Sequence, residues 1–386
     1  MKELTKRKKI IGTIETVLAA AVIIIAVVTA PKLSAQKEEE TSAAASETAA
    51  ATQAATETEQ EKTEPTTSSV GIGVQPIGEY SLNGYIVVTG DAAMEIYSIA
   101  STKLKEYAAS ANNLASKIPS SKVYVMLAPT RMEFYGPEEY RTGSHSQQMG
   151  ISTAYLALNP EVTGVDAYSE IARHTDEYEY FRTDHHWTAR GAYYAYKAFC
   201  ESAGLTCTPL DSFQSGKLDD FVGSMYRYTQ SENLKKNPDY VEYFLPRYDV
   251  SAESFSTADM TDGKPLRVIS TNITDESSKY LTFIQGDKPL IKMVSSCGSG
   301  KKVLLIKESY GNALAPFLLD TFSEVYVLDP RQESIQGMNI PSFVENNGIY
   351  GALLQLYHGA VKFKIYERTQ RNDRRLKIFN DKVPVL

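Results

Sequence analysis

The chain has 386 residues, of which 42% are hydrophobic, so it is long enough for one large or two ordinary domains with a substantial core. This composition excludes a protein that is disordered throughout. The formal net charge is −7 although the first nine residues are basic, so the remainder is acidic and no nucleic-acid partner is expected.

The N-terminus predicts a membrane anchor. Residues 1–9 form a basic segment, and residues 10–31 form an apolar stretch about long enough to cross a bilayer. Positive charge before the span places segment 1–9 in the cytoplasm and predicts a single-pass protein of the cell membrane with an extracytoplasmic body. A cleaved signal peptide is the alternative, since Leu33-Ser34-Ala35 is a tolerable cleavage site. Either reading puts the body outside the cytoplasm.

Residues 32–70 are predicted to form a disordered linker. They are mostly Ala, Thr, Ser, Glu and Gln without an aromatic residue, and this composition buries too little apolar surface to offset the entropy of ordering. From residue 71 the pattern changes to alternating apolar strands and amphipathic helices. Residues 71–386 are therefore predicted to fold as one domain.

Hydrophobic patterns give the elements of this domain in chain order. Up to residue 181 they are a strand at 85–88, a helical region at 92–118, strands at 123–128 and 162–165, a helix at 167–174 and a strand at 178–181. A helix at 188–203 follows and ends at Gly204. Residues 205–300 predict loops and a minor sheet.

The clearest pattern comes last. A strand at 303–306, a helix at 313–322 and a strand at 325–328 predict a βαβ unit, which implies a parallel sheet with a right-handed crossover. The expected fold class is therefore α/β, with a parallel sheet flanked by helices. In such sheets functional groups gather where strands end and helices begin, and Ser309 lies at such a turn.

The three cysteines, Cys200, Cys207 and Cys297, are too few for a disulfide framework. An oxidising exterior would allow a bridge between Cys200 and Cys207, and three free thiols are the alternative. Neither their spacing nor their neighbours predict a metal site.

Residues 183–187, Thr-Asp-His-His-Trp, carry the strongest functional signal. A carboxylate such as Asp184 can fix the tautomer of a nearby imidazole, whose other nitrogen then accepts a proton from a hydroxyl nucleophile. Ser309, before the last predicted helix, is a candidate for that nucleophile, with its own N–H directed at a developing oxyanion. A surface polar cluster and a helix-capping serine are the ordinary alternatives.

These motifs resemble the DHHW family, which is similar to the SGNH-type domains of alginate and related polysaccharide O-acetyltransferases. The likeness rests on residues 180–189, on residues 191–196, and on the Ser309 turn followed by residues 327–331. It covers roughly residues 75–335, and the Asp-His-His-Trp segment is its most specific part.

The resemblance implies a Ser-His-Asp triad in a circularly permuted order, within a catalytic domain at 71–386. Ser309 would be the nucleophile, His186 its base and Asp184 the carboxylate that orients the base. His186 is preferred over His185 because the alginate relatives keep only the second histidine. Glu308 stands where many SGNH relatives have an aspartate before the serine.

Five further residues are candidates for substrate contacts. Asn312, Tyr310 and Gly223 would lie near the oxyanion or the substrate, although helix capping and tight turning also explain such residues. Trp187 would stack on a sugar or would wedge the catalytic loop. Arg331 would bind a carboxylate or a sugar hydroxyl, or would form an ordinary salt bridge.

The resemblance implies an O-acetyltransferase that modifies a cell-surface or secreted polysaccharide through an acyl-enzyme. Because acetyl-CoA is absent outside the cell, it also implies a membrane-bound O-acyltransferase as acetyl donor. An acetyl esterase with the same triad and a non-catalytic glycan-binding protein are the alternatives. No cofactor is expected, and no metal either, because the additional aspartate motifs of metal-dependent Asp-His-His phosphoesterases are missing.

Overall fold

An eight-stranded sheet forms the centre of the computed structural model, which describes residues 79–357 and the strands Lys364–Glu367 and Leu376–Phe379. The predicted anchor at 10–31 and linker at 32–70 lie outside the described residues and stay predictions. Within the described part of the chain, none of the helices has both the length and the apolar character that a membrane span requires.

Fifteen strands and nine α-helices are described. The strands are β1 (Tyr80–Asn83), β2 (Ile86–Thr89), β3 (Ala92–Glu95), β4 (Lys122–Ala128), β5 (Val162–Gly164), β6 (Ser215–Phe221), β7 (Asp239–Phe244), β8 (Val250–Phe255), β9 (Lys264–Pro265), β10 (Leu290–Ser295), β11 (Lys302–Lys307), β12 (Glu324–Leu328), β13 (Gly351–Tyr357), β14 (Lys364–Glu367) and β15 (Leu376–Phe379). The helices are α1 (Ser101–Lys117), α2 (Arg131–Tyr135), α3 (Gln147–Tyr155), α4 (Ala167–Ala172), α5 (Ala189–Ala203), α6 (Ser224–Thr229), α7 (Glu232–Lys236), α8 (Gly311–Leu318) and α9 (Ile340–Asn347).

The central sheet has the strand order β5-β4-β13-β11-β12-β10-β8-β9. The first five strands run parallel, and the remaining pairs are antiparallel. In β4 and β11 every residue after the first is buried, as expected for strands covered by helices on both faces. The α/β class and the parallel pairing of β11 with β12 across α8 confirm the prediction, although the whole sheet is mixed.

Two groups of helices flank the sheet. Helix α1 packs with α3, whereas α4, α5 and α8 pack in series. Helix α5 begins at its N-cap Thr188, whose hydroxyl accepts the Gly191 N–H at 3.4 Å, and it ends at Gly204, whose φ of +64° is left-handed. Gly191 allows a close backbone approach, because a Cβ there would lie 2.5 Å from the Glu179 carbonyl oxygen. The helix predicted at 188–203 is confirmed.

Three expectations were wrong in part. Residues 92–95, predicted as helix, form β3 of a three-stranded antiparallel sheet, because pairing with β2 overrides the helix propensity of Ala-Ala-Met-Glu. The strand predicted at 178–181 reduces to one antiparallel bridge between Tyr180 and Trp187. Between 205 and 300, β6 and β7 form the expected minor sheet, but β8 and β10 extend the central sheet.

All three cysteines are free thiols. Cys200 is buried in α5, and a hydrogen bond with Cys207, together with burial, raises the pKa of the Cys200 thiol. The two thiols are therefore neighbours, as the spacing suggested, without a disulfide bond between them.

Glu179 is a buried carboxyl group beside the N-terminus of α5. Its side chain is fully buried, Oε2 accepts a hydrogen bond from the Tyr135 hydroxyl at 3.4 Å, and Oε1 has no partner. Burial, reinforced by the negative charge of Glu177, raises the pKa of Glu179 to about 9. The group is therefore protonated at neutral pH.

This shift predicts a fall in stability with rising pH. The unfolded chain releases the Glu179 proton near pH 4.5, whereas the folded protein retains it to about pH 9. The free energy of unfolding should therefore fall across this window, by at most about 1.4 kcal/mol per pH unit. Glu179→Gln should lose this pH-dependent part of the free energy of unfolding. In urea unfolding from pH 5 to 8, the stability of the variant should therefore rise relative to that of the native protein as the pH rises. The exposed Glu161→Gln is the control, and parallel curves for Glu179→Gln and native protein would contradict the assignment.

Candidate active site

The loop of residues 183–187 is held in place at both of its ends. The Thr183 N–H and hydroxyl donate to Asp239 Oδ2 of β7 at 2.7 and 2.8 Å. At the other end, Trp187 Nε1 donates to the carbonyl oxygen of Tyr310 at 2.9 Å. The loop is thus fixed to the minor sheet and to the turn between β11 and α8.

This docking brings three predicted residues together. Asp184 Oδ1 lies 2.6 Å from His186 Nδ1, and His186 Nε2 lies 2.7 Å from Ser309 Oγ. With the Nδ1 proton donated to the carboxylate, Nε2 is the acceptor for the serine hydroxyl. Asp184 and His186 are buried, and Ser309 is partly exposed. The arrangement has the geometry of a nucleophile, a general base and an orienting carboxylate.

The charges around Asp184 keep it ionised. Burial alone would raise its pKa, but the neighbouring imidazoles of His186 and His185 and a hydrogen bond from the Ser224 N–H hold the pKa of Asp184 well below its usual range. Burial and the proximity of His186 lower the pKa of His185, so its ring is neutral at neutral pH. The carboxylate is therefore available to stabilise an imidazolium on His186.

Tyr280 supports both the base and the nucleophile. Its ring stacks on the His186 ring, with centroids 3.9 Å apart and an interplanar angle of 11°. Its hydroxyl donates to the carbonyl oxygen of Ser309 at 3.0 Å. Sequence reasoning missed this residue, since it is one of 25 tyrosines and lies in a segment predicted as loop.

Ser309 lies in the turn that joins β11 to α8, as predicted. The buried carboxylate of Glu308 accepts the Tyr310 N–H at 3.0 Å and lies 3.3 Å from Ser309 Oγ. The Ser309 N–H has no acceptor among residues 79–357. It is therefore available to a developing oxyanion.

A buried ionic cluster lies behind this turn. Lys307 Nζ, with a fully buried side chain, is 2.8 Å from Asp287 Oδ1, 2.6 Å from Asn312 Oδ1 and 3.6 Å from Asp329 Oδ2. Arg331 pairs with Asp329 at 2.6 Å and also with Asp287. Burial would raise the pKa of Asp287, but the charges of Lys307 and Arg331 hold this pKa below its usual range. The Lys307–Asn312 hydrogen bond spans the nucleophile turn from one side to the other.

Two of the residues predicted to contact the substrate, Asn312 and Arg331, belong to this cluster. Asn312 Oδ1 accepts a hydrogen bond from Lys307 and one N–H of its Nδ2 donates to Asp287, so the side chain is anchored within the cluster. Arg331 pairs with Asp329 and Asp287, which is the ordinary salt-bridge alternative.

The two predicted aromatic contacts are also structural. Trp187 and Tyr310 are fully buried, and the Tyr310 hydroxyl donates to the carbonyl oxygen of His185. Trp187 therefore fixes the loop and does not offer a face to a sugar, and the Tyr310 side chain likewise joins two segments of the site.

Gly223 lies in the wall of a cleft beside His186. It packs beneath the carboxylate of Asp184, where a Cβ would lie 2.3 Å from the Asp184 Cβ. Its N–H donates to Thr183 Oγ1 at 3.1 Å, so this group does not serve an oxyanion.

A cleft of about 500 Å³ opens beside the triad. Its walls are the loop at 184–186, helix α6 and the short 3-10 helix Glu276–Thr282. Hydroxyl, amide, guanidinium and aromatic groups line it, which is a surface suited to a polar, multi-hydroxyl ligand. A cavity of similar volume, about 520 Å³, beside α3 and β5 contains none of the triad residues.

Asp184, His185 and His186 also offer ligand atoms within 4.8 Å of one another, which is close enough for a metal ion. Both nitrogens of His186 already contact triad partners, and His185 Nδ1 lies 2.6 Å from Ser224 Oγ. A metal ion would have to replace one of the triad hydrogen bonds, so the donor set fits a triad better than a metal centre.

Comparisons with known proteins agree with this fold. The family model described as DHHW protein matches residues 44–328. A solved DHHW family protein from Eubacterium siraeum is 30% identical, with a TM-score of 0.67, and the match covers 74% of this chain and 95% of that one. PatB1 of Bacillus cereus with a sulfonyl adduct is 15% identical, with a TM-score of 0.60 and coverage of 73% and 97%. No curated protein sequence matches the chain significantly.

The packing of Gly223 predicts a loss of activity in Gly223→Ala. The added methyl group must displace the Asp184 carboxylate, and a displacement of about 1 Å can lower a rate on the order of a hundredfold. The hydrolysis rate of an activated acetyl ester measures this effect, and loss of the downfield proton resonance of His186 Nδ1 should accompany it. Unfolding should remain cooperative. An unchanged rate together with an unchanged resonance would contradict the close packing.

The ionic cluster predicts a large loss of stability in Lys307→Met. Removing the cation leaves the fully buried Asp329 and the partly exposed Asp287 with Arg331 alone, so the loss in urea unfolding should be about 3 kcal/mol, the lower end for a broken buried pair. Lys264→Met, at an exposed position of β9, should change stability by less than about 0.5 kcal/mol. Equal stabilities for the two variants would show that the cluster contributes little.

Proposed function

Since this chain belongs to the DHHW family, we propose that it is an extracytoplasmic O-acetyltransferase that acts on a polysaccharide through Ser309, His186 and Asp184. The observation that supports this most directly is the continuous series of contacts from Asp184 to His186 to Ser309, at 2.6 and 2.7 Å. The Asp-His-His-Trp segment resembles that of polysaccharide O-acetyltransferases. This resemblance supports acetyl as the transferred group and a polysaccharide as the acceptor.

In the first half-reaction, Ser309 Oγ attacks the carbonyl carbon of a donor acetyl ester while His186 Nε2 takes the serine proton. Asp184 stabilises the imidazolium that results. The Ser309 N–H stabilises the oxyanion. When the tetrahedral intermediate collapses, the carbon–oxygen bond to the donor alcohol breaks, His186 returns the proton to that alcohol, and Ser309 holds the acetyl group as an ester.

In the second half-reaction, a sugar hydroxyl takes the place of the donor alcohol. His186 Nε2 removes its proton, the sugar oxygen attacks the acetyl carbon, and the bond to Ser309 Oγ breaks with return of the proton to the serine. Water in place of the sugar would give hydrolysis by the same steps. The cleft beside His186 supports transfer, because a bound sugar there would exclude water from the acyl-enzyme.

The acetyl donor proposed here is a membrane-bound O-acyltransferase that passes acetyl groups across the bilayer. This partner follows from the predicted anchor at 10–31 and from the absence of acetyl-CoA outside the cell. The linker at 32–70 would let the domain reach such a partner while it remains near the membrane.

An acetyl-transfer assay tests the proposal. The full chain in detergent is incubated with an activated acetyl ester and a mixture of oligosaccharides, and mass spectrometry should detect acetylated sugar. Ser309→Ala should lower both transfer and ester cleavage by at least about a thousandfold, because the nucleophile is lost. Ser116→Ala, an exposed serine of α1, is the matched control.

The other outcomes separate the alternatives. Free acetate without acetylated sugar would support an esterase. Neither product, together with no labelling of Ser309 by a fluorophosphonate, would support a non-catalytic glycan-binding protein. Full activity in Ser309→Ala would refute the triad.

A further inference from the structure

A cationic side chain, that of Arg227, lines the cleft beside the triad, and the proposed chemistry does not use it. Apart from the histidines, the charged residues that line it are Asp184 and Arg227. Asp184 is buried and bound by His186 and Ser224. Arg227 is exposed, its guanidinium carbon lies 5.3 Å from the ring centroid of Tyr228, and no carboxylate among the described residues pairs with it. The cleft therefore presents to a ligand a positive charge that no carboxylate of the described residues neutralises.

Helix α6 connects this cation to the catalytic residues. Its first residue, Ser224, donates its N–H to Asp184, and Arg227 follows three positions later. Residues three apart lie on the same face of a helix, so the guanidinium belongs to the wall that also supports Asp184. Arg227 is thus held about one helical turn from the triad.

Basic residues accompany one wall of the cleft, and hydroxyl groups line the other. Lys235 Nζ lies 6.0 Å from the ring centroid of Tyr226, which also lines the cleft. At the other wall Ser277 and Ser278 present hydroxyl groups, and the Asp275 carboxylate accepts the Ser277 hydroxyl at 2.8 Å. Helices α6 and α7 together carry three basic residues, Arg227, Lys235 and Lys236, and one acidic residue, Glu232, so their net charge is positive.

We propose that the acceptor is an anionic polysaccharide whose carboxylate or phosphate pairs with Arg227 while a neighbouring hydroxyl lies at His186. This inference rests on the proposed transferase function. A guanidinium binds either anion through two parallel hydrogen bonds, which gives orientation as well as affinity. The Tyr226 ring offers an apolar surface for the C–H face of a sugar, and the hydroxyls of Ser277 and Ser278 can bond to its hydroxyl groups.

Acetyl transfer to three acceptors tests the charge preference. With the full chain and an activated acetyl ester, oligogalacturonate supplies carboxylates, poly(glycerol phosphate) supplies phosphodiesters, and a xylo-oligosaccharide is neutral. At least one anionic acceptor should be preferred over the neutral one, and the preferred acceptor identifies the anion. Arg227→Gln should raise KM for it by about tenfold, with kcat and ester cleavage unchanged, and Arg227→Lys should recover part of the loss. Arg267→Gln, an exposed arginine outside the cleft, is the control.

Equilibrium binding to Ser309→Ala separates this inference from the transferase function. In that background the anionic acceptor should bind more tightly than the neutral one, and adding Arg227→Gln should abolish the difference. Equal binding or equal transfer for charged and neutral acceptors would overturn the anionic assignment alone. Failure of the native protein to acetylate any acceptor, with ester cleavage intact, would overturn the transferase function and the inference that rests on it.

Discussion

The contact between His186 Nε2 and Ser309 Oγ joins two segments 123 residues apart, and the rest of the site depends on it. Two hydrogen bonds run beside this contact between the same segments. The Trp187 indole donates to the carbonyl oxygen of Tyr310, and the Tyr310 hydroxyl donates to the carbonyl oxygen of His185. Because these bonds are made by buried aromatic side chains, the loop and the turn are docked before any substrate binds.

Each segment is also supported from outside the triad. Asp239 of the minor sheet receives the Thr183 N–H and hydroxyl and so positions the loop. On the other side, Lys307 bridges the end of β11 to Asn312 of α8 and so closes the nucleophile turn. Such long-range supports hold catalytic atoms within the few tenths of an ångström that proton transfer requires. The polar residues around this site are thus mainly a scaffold for the three candidate catalytic groups.

The parts of the site that lie next to regular hydrophobic strands could be predicted from the sequence, and the parts that come from irregular segments could not. The β11–α8–β12 unit has continuous apolar strands, so the position of Ser309 at its turn could be predicted. By contrast, Tyr280, Asp287 and Asp239 come from residues 205–300, where β8 mixes buried and exposed positions and predicts no place in the central sheet. Their contacts with the site span 20 residues or more in sequence, and no local pattern encodes such pairings. The candidate nucleophile and base were therefore predictable, whereas Tyr280, Asp287 and Asp239, which support them, were not.

The surroundings of His186 also bear on the order of the proposed reaction. The rings of Tyr280 and His185 both have centroids 3.9 Å from the His186 ring, so the base has little freedom to turn between two separate sites. Its Nε2 must then serve the donor and the acceptor from one position beside Ser309. The cleft lined by residues 184–186 adjoins the base, and in the proposed reaction the donor alcohol leaves before the acceptor enters. The proposed acyl-enzyme on Ser309 agrees with this restriction, and ping-pong kinetics are the expected behaviour of such an intermediate.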